Sequence, residues 1–463
     1  MEKQPMTGSR PTNPRRKTRS KIQVFKEVYL PFIILAVALL LIVGIVVTIV
    51  NLSKDPGDPS DDTPSVQLQQ EAEALLTQAQ QLALSYDYDG ALALLSSFSG
   101  ELEQFPKIEE AINLYTSTKQ GMVAWRSDQV PILSFHVLVE DLMAALADPT
   151  YGQNGTNQYN RNFVTTEEFS IILQRLYDNG YVLVNLDDFY ITGYSNSKEC
   201  EIFFEKKLML PNGKKPIILT ETHCNYYSYM VDKDKNGIPD QDGAGFASKL
   251  CWDNGFYNER MTADGSLAKG AFDLVPLLEN FISLHPDFSY RGARAILAFS
   301  GLDGIFGYRI NSDSLSAETV ETEKREATLL LNKLQAAGYT MACYTYRNTD
   351  YSVKSADEIK EDIQLWQQEI APIVGQTNIF VFAQEADIGT NYKNNEKFDV
   401  LYEGGFRFFL SSSPFLSRVV DDAYVRHNRL SATASSLQHH SEWFSSILDT
   451  TTLLNPMRGN IPK

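Results

Sequence analysis

Two stretches of this sequence hold side chains able to do chemistry. In Thr220-Glu221-Thr222-His223-Cys224 a carboxylate, an imidazole and a thiol fall within four positions, directly after the apolar run Pro216–Leu219. Carboxylates and imidazoles are the groups that move protons or bind metals near neutral pH. The second stretch, Asp232-Lys233-Asp234-Lys235-Asn236-Gly237-Ile238-Pro239-Asp240, has the D-x-D-x-N-G-x-x-D spacing of a calcium loop. Oxygens of Asp232, Asp234, Asn236, the Ile238 carbonyl and Asp240 can wrap one hard cation, with Gly237 making the turn. Position twelve is Gly243 rather than a bidentate glutamate, and Asp242 is the nearest substitute. The two readings of 232–243 are a structural Ca2+ clip and a plain solvated acidic turn. Three further histidines stand out. His136 ends an apolar run and either lines a pocket or is a satisfied structural histidine. His439 and His440 fall in a polar tail region and read as surface residues.

The elements that must position these groups change period along the chain. Residues 51–65 are rich in Pro, Asp and Ser and read as a linker. Over 66–128 the spacing of Ala72, Leu75, Leu76, Ala79 and Leu82, then Ala91, Leu92, Leu94 and Leu95, predicts a small helical module resembling a tetratricopeptide hairpin. It is either a spacer or a docking site for a partner. From about 129 the pattern becomes strands alternating with helices. Val130–His136, Tyr181–Val184, Pro216–Thr220, Ala293–Phe299, Tyr339–Tyr346, Asn378–Ala383 and Phe406–Leu410 read as strands. Helices follow Thr165 and Ser355, each with a capping glutamate three residues on, Glu168 and Glu358. Leu274–Leu284, Glu321–Ala337 and Glu396–Glu403 complete the helices. Such alternation implies a parallel sheet or barrel covered by helices, with any chemistry at the C-terminal strand ends.

The net charge of -17 is unevenly spread. Residues 1–29 form a basic tail: the first 30 residues hold eight basic and two acidic side chains, +6, so the remainder carries -17 minus 6, or -23. An acidic body repels nucleic acid, and none is expected as a partner. Leu30–Val50 is a run of 21 residues without charge. At about 1.5 Å per residue it spans about 30 Å, the thickness of a hydrocarbon core. No small-residue cleavage site follows it, so an uncleaved anchor is expected, with the N-terminus cytoplasmic and the body extracytoplasmic. Four cysteines, Cys200, Cys224, Cys251 and Cys343, then lie in an oxidising compartment, and their pairing stays open.

Val130–His136 resembles the opening strand of the polysaccharide deacetylase (NodB-like, carbohydrate esterase family 4) domain. Phe169, Leu173, Leu176, Gly180 and Tyr181 match the helix and strand that follow there. Lys215–Thr220 resembles the strand leading into that family's Thr-Phe-Asp-Asp motif. Asn225-Tyr226-Tyr227-Ser228-Tyr229-Met230 is similar to the N-Y-Y-E-Y-M of a membrane-anchored branch. Gly307-Tyr308-Arg309 and Tyr339–Asn348 fall at its next landmarks. The resemblance covers about 129–420 and implies a metal-dependent deacetylase on a distorted (β/α) barrel, with 421–463 as a C-terminal extension. Where the family has its base and first metal ligand, this chain has Thr222 and His223. Where the family has two histidine ligands, it has Tyr344 and Asn348, with Arg347 expected to add a positive charge. The family's Arg-Pro motif falls at Phe382–Asp387, which carries neither. Threonine is no base near neutral pH, and Tyr and Asn are poor zinc ligands.

The expected architecture is therefore a basic tail, one transmembrane helix, a small helical module and a distorted α/β barrel of the deacetylase type. The expected function is non-catalytic: a membrane-anchored module binding a cell-envelope glycan or an envelope protein, without zinc. Its groove would be lined by His136, Glu221, Tyr226, Tyr227, Trp252, Tyr344 and Tyr346; an aromatic-rich core is the competing reading. Two alternatives stand beside it. One is an active deacetylase with relocated ligands, such as a His223-Cys224-Cys343 zinc set, against which a Cys224–Cys343 disulfide competes. The other is a scaffold acting through 66–128.

Overall fold

The computed structural model describes residues 66–147, 152–153, 156–194, 201–231, 245–262, 264–421 and 423–463. The basic tail, the apolar run 30–50, the linker, Cys200 and the calcium-type loop 232–243 lie outside them. Among the described residues no helix is long and apolar enough to cross a membrane. The chain divides into two compact units, 1–74 and 75–463.

Seven parallel strands form a closed barrel in sequential order. They are β1 (Ile132–His136), β2 (Lys215–Thr222), β3 (Ile296–Phe299), β4 (Thr340–Cys343), β5 (Ile379–Val381), β6 (Phe408–Ser412) and β7 (Val425–Ser431). Closure comes from β7 beside β1, with Leu430 opposite Leu133, and from β2 beside β3, with Thr220 opposite Ile296. The sequence reading ended this domain at 420, yet β7 lies wholly beyond it. The reason is compositional. Val425-Arg426-His427-Asn428-Arg429-Leu430-Ser431 sends His427 and Arg429 into the barrel, so the apolar alternation that marks a strand is missing.

Alternation along each strand separates two apolar layers. Ile132, Ile218, Ile296, Ala298, Ala342, Val381, Leu410 and Val425 fill the barrel interior. Leu133, Phe135, Leu219, Leu297, Met341, Cys343, Phe380 and Phe409 face outward into the helix layer. Helices α1 (Val66–Leu84), α2 (Tyr88–Leu95) and α3 (Pro106–Gln120) precede the barrel. Helices α4 (Thr166–Asp178), α5 (Leu274–Leu284), α6 (Ala317–Ala337), α7 (Ala356–Glu369) and α8 (Glu396–Glu403) connect its strands.

The caps read from sequence are formed. The Thr165 hydroxyl accepts from the Glu168 amide at 3.1 Å, and the Thr165 amide donates to Glu168 at 2.7 Å. Ser355 and Glu358 do the same for α7. Gly180 ends α4 with φ +80°, and a Cβ there would stand 2.4 Å from the Gly213 carbonyl, so only glycine fits. At the far end of the barrel, Tyr86 after α1 donates to the Asp287 carbonyl at 2.5 Å and Asp87 pairs with Arg291 at 3.0 Å.

Candidate functional site

The C-terminal strand ends converge on a cleft of about 540 Å³. His136 ends β1 and lies opposite Thr222, the last residue of β2. The Thr222 hydroxyl donates to the Phe135 carbonyl at 3.2 Å. Its oxygen then accepts from His136 Nδ1 at 2.9 Å and His223 Nδ1 at 3.2 Å, which sets both rings as Nδ1–H tautomers. The two imidazoles meet edge to face at 4.6 Å, and the Tyr344 ring stands 5.2 Å from His223. Burial, then the nearby Arg429 guanidinium, pushes His136 down to about 4. Burial first, then His136 and Arg429, pushes His223 well below its ordinary range. Both rings are thus neutral at physiological pH.

Backbone strain collects at the same rim. His223, Thr345, Asn348, Gln384 and Glu385 have φ between 50° and 65°. Left-handed backbone is uncommon outside glycine and costly for β-branched Thr345. Such conformations cluster where a surrounding scaffold forces side chains toward a site.

The cleft floor holds a side chain that sequence reasoning missed. Arg429 on β7 is 2% exposed inside the barrel. It donates to the Ser134 hydroxyl at 2.9 Å and the Phe382 carbonyl at 2.8 Å. Its Nε has no hydrogen-bond partner among the described residues, and it makes no ion pair. Arg347, expected to carry the positive charge here, instead turns away to Glu361 at 2.9 Å and Asp362 at 3.4 Å. The signal for Arg429 was its spacing of two from His427, which puts both on one face of a strand. His427 sits deeper, bonded to Tyr190 at 2.7 Å and pushed by burial down to about 3.

The structure brings His136, His223, Tyr344 and Asn348 to one cleft, with Thr222 between the histidines. The Asn348 side-chain oxygen accepts from Gln384 at 3.4 Å. Other expected groove residues lie elsewhere. Glu221 points outward, because it alternates with Thr220 and Thr222. It meets Asp273 there, and burial and that neighbour raise its pKa well above the carboxylate range. Tyr226 is also in the outer layer, receiving Asn258 at 2.9 Å. Tyr227 stands behind His223 and contacts Ser300 at 3.2 Å. Trp252 is exposed and packs on Phe256, while Tyr346 lines a different cavity. Asn225 clamps the β2 and β3 loops through Ser300, donating to its carbonyl at 3.0 Å. His440 was read as a surface residue but lines the cleft, stacked 4.0 Å over Trp443; His439 contacts the Ile461 carbonyl.

Among the described residues no group of three or more His, Cys, Asp or Glu side chains is placed to hold a metal ion. Cys224, Cys251 and Cys343 are free thiols, so the Cys224–Cys343 disulfide is not formed. Cys224 and Cys343 both face the outer layer, whereas His223 faces the cleft. The relocated His-Cys-Cys set is therefore not assembled. What the site offers is two adjacent neutral imidazoles, a phenol, hydroxyls and a buried cation, with the Glu385 carboxylate and His440 apart from them at the rim. A hydrolytic zinc takes three good protein ligands plus water, and these residues do not fit one. A divalent ion would also meet the unneutralised guanidinium at low dielectric.

No protein-family model matches the chain, and no curated protein matches it significantly. Two solved structures are similar. One is the Streptococcus pyogenes deacetylase PplD in complex with acetate, at 13% identity and TM-score 0.33, covering 68% of this chain and 98% of that one. The other is a de-N-acetylase from Aggregatibacter actinomycetemcomitans, at 12% identity and TM-score 0.33, covering 70% and 96%. Likeness this distant adds no weight to a reading of this chain's chemistry, which rests on the closed parallel barrel and the residues at its mouth.

Proposed function

We propose that this chain is a deacetylase-like barrel that has given up hydrolysis and binds a cell-envelope glycan in the cleft at its strand ends. The observation that supports it best is Arg429, a buried guanidinium among neutral polar groups at the floor where a hydrolytic cation would sit. Thr222 as the hinge of two neutral histidines supports it further, since a threonine stands where a base would activate water and the cleft's carboxylate, Glu385, is exposed at the rim. We also propose that the apolar run 30–50 holds the barrel at a membrane, with the barrel on the extracytoplasmic side.

The test is an acetate-release assay with N-acetylglucosamine oligomers and added zinc, run beside a binding measurement on the same full-length protein in detergent. The expected result is binding without acetate. Zinc-dependent acetate release would establish the relocated-ligand deacetylase instead. Protease accessibility of the barrel in intact cells checks the anchoring: cleavage from outside is expected, and protection would reverse the orientation.

A further inference from the structure

The cleft is lined by positive charge on a strongly acidic protein. Among the described residues Arg429 at the floor and Arg161 and Lys463 at the walls share the cleft with one side-chain carboxylate, the exposed Glu385, and Arg161 Nε donates to the Lys463 carbonyl at 2.9 Å, leaving its terminal N–H groups for a ligand. Placing a guanidinium in a protein interior costs several kcal/mol unless a counter-charge and full hydrogen bonding offset it. Arg429 has five N–H donors. Among the described residues its two bonds go to neutral oxygens, and its Nε has no hydrogen-bond partner. Buried charged groups left this way need a reason, and the usual ones are strain, an ion or a function. Around it stand hydroxyls, Ser412, Ser431 and Thr433, and the two histidines. Arg161 is held at the rim by the chain itself. Arg458 grips the short helix Gln158–Asn162 through the Asn160 carbonyl and side chain at 3.2 and 3.1 Å.

From this arrangement we infer that the cleft recognises an oxyanion carried on a glycan, with Arg429 as its buried counter-charge and Arg161 as a second contact at the mouth. The inference rests on the glycan-binding reading for the sugar part of the ligand, and on Arg429 alone for the anion. A carboxylate or phosphate oxygen supplies what the guanidinium lacks, and charge-assisted bonds of this kind are stronger than neutral ones. Acidic surroundings suppress stray anions while the cleft concentrates the one it fits. Both unprotonated Nε2 atoms accept hydrogen bonds, so they suit sugar hydroxyls beside the anion rather than the anion itself.

The experiment measures binding to the full chain in detergent with four probes. These are a tetrasaccharide alternating glucuronate with N-acetylglucosamine, neutral chitotetraose, inorganic phosphate and acetate. The inference predicts that the acidic tetrasaccharide binds more tightly than chitotetraose. It also predicts that Arg429→Met and Arg161→Gln each weaken the acidic ligand roughly 10- to 100-fold, a larger loss than either variant causes for chitotetraose. Arg161→Gln keeps the test open if Arg429→Met does not fold. Equal binding of acidic and neutral sugars, with both variants unaffected, overturns the oxyanion site and leaves glycan binding standing. Phosphate or acetate binding that needs Arg429, without either sugar, supports the anion site and overturns the glycan reading. Binding of no probe overturns both.

Discussion

The Thr222 hydroxyl takes up both histidine Nδ1–H groups, while burial and the nearby Arg429 decide how the cleft responds to acid. His136 titrates near 6.5 when unfolded but is held to about 4 in the fold. Above pH 6.5 both states are neutral and stability is whole. Between pH 6.5 and 4 the unfolded chain binds the proton first, so stability falls as pH falls. Because His136 is partly open to the cleft, the expected loss is about 2 kcal/mol. Denaturant unfolding of wild type against His136→Asn should show it as a gap that closes between pH 7 and 4. A constant gap would mean that the ring titrates in the fold as it does in the unfolded chain. Thr222→Val removes the shared acceptor and should cost about 1–3 kcal/mol, measured the same way. At this scale the sequence was partly legible. Thr222, His223, Tyr344 and Asn348 could be found because the resemblance to the deacetylase motifs marks their positions. Glu221 was misplaced because a carboxylate invites a catalytic reading, whereas strand alternation sends it to the outer layer beside Asp273. Arg429 was missed because its spacing of two from His427 marks a shared face only once the segment is recognised as a strand.

Among the elements, α4 carries more than its cap. Glu168 accepts from Arg458 at 2.6 and 2.7 Å, and both side chains are 1% exposed. Arg458 also donates to the Asn160 side chain and the Phe163 carbonyl, at 3.1 and 2.9 Å. This buried pair ties the segment after β7 to the wall of the cleft. Arg458→Met leaves Glu168 buried and unpaired and should cost about 3–5 kcal/mol in denaturant unfolding. A loss below about 1 kcal/mol would mean water replaces the arginine freely. The capping boxes, the strand–helix alternation and the glycine after α4 were legible because each has a local signature. The Arg458–Glu168 pair was not, since it joins residues far apart in sequence. β7 was hidden for a related reason: a strand that delivers His427 and Arg429 inward breaks the apolar pattern by which strands are recognised.

For the molecule as a whole, sequence pattern settled the class and not the chemistry. Parallel strands with helical crossovers could be read from period, which left sheet and barrel open; the resemblance pointed to a barrel, and the seven strands close into one. The charge ledger of the sequence, acid in the body and base in the tail, hid the local reversal inside the cleft. That reversal also implies a salt response: binding of an acidic sugar should weaken as ionic strength rises, because half-buried Arg161 and exposed Lys463 are screened while Arg429 is not. A ligand whose affinity is indifferent to salt would bind elsewhere. The central claim is that a guanidinium, not a hydrolytic metal, occupies the electrostatic centre of this barrel. Zinc content of the full-length protein, measured by mass spectrometry after incubation with excess zinc and exhaustive dialysis, tests it most directly. The account predicts far less than one zinc per chain, unchanged in His223→Ala. One zinc per chain that disappears in His223→Ala would contradict it.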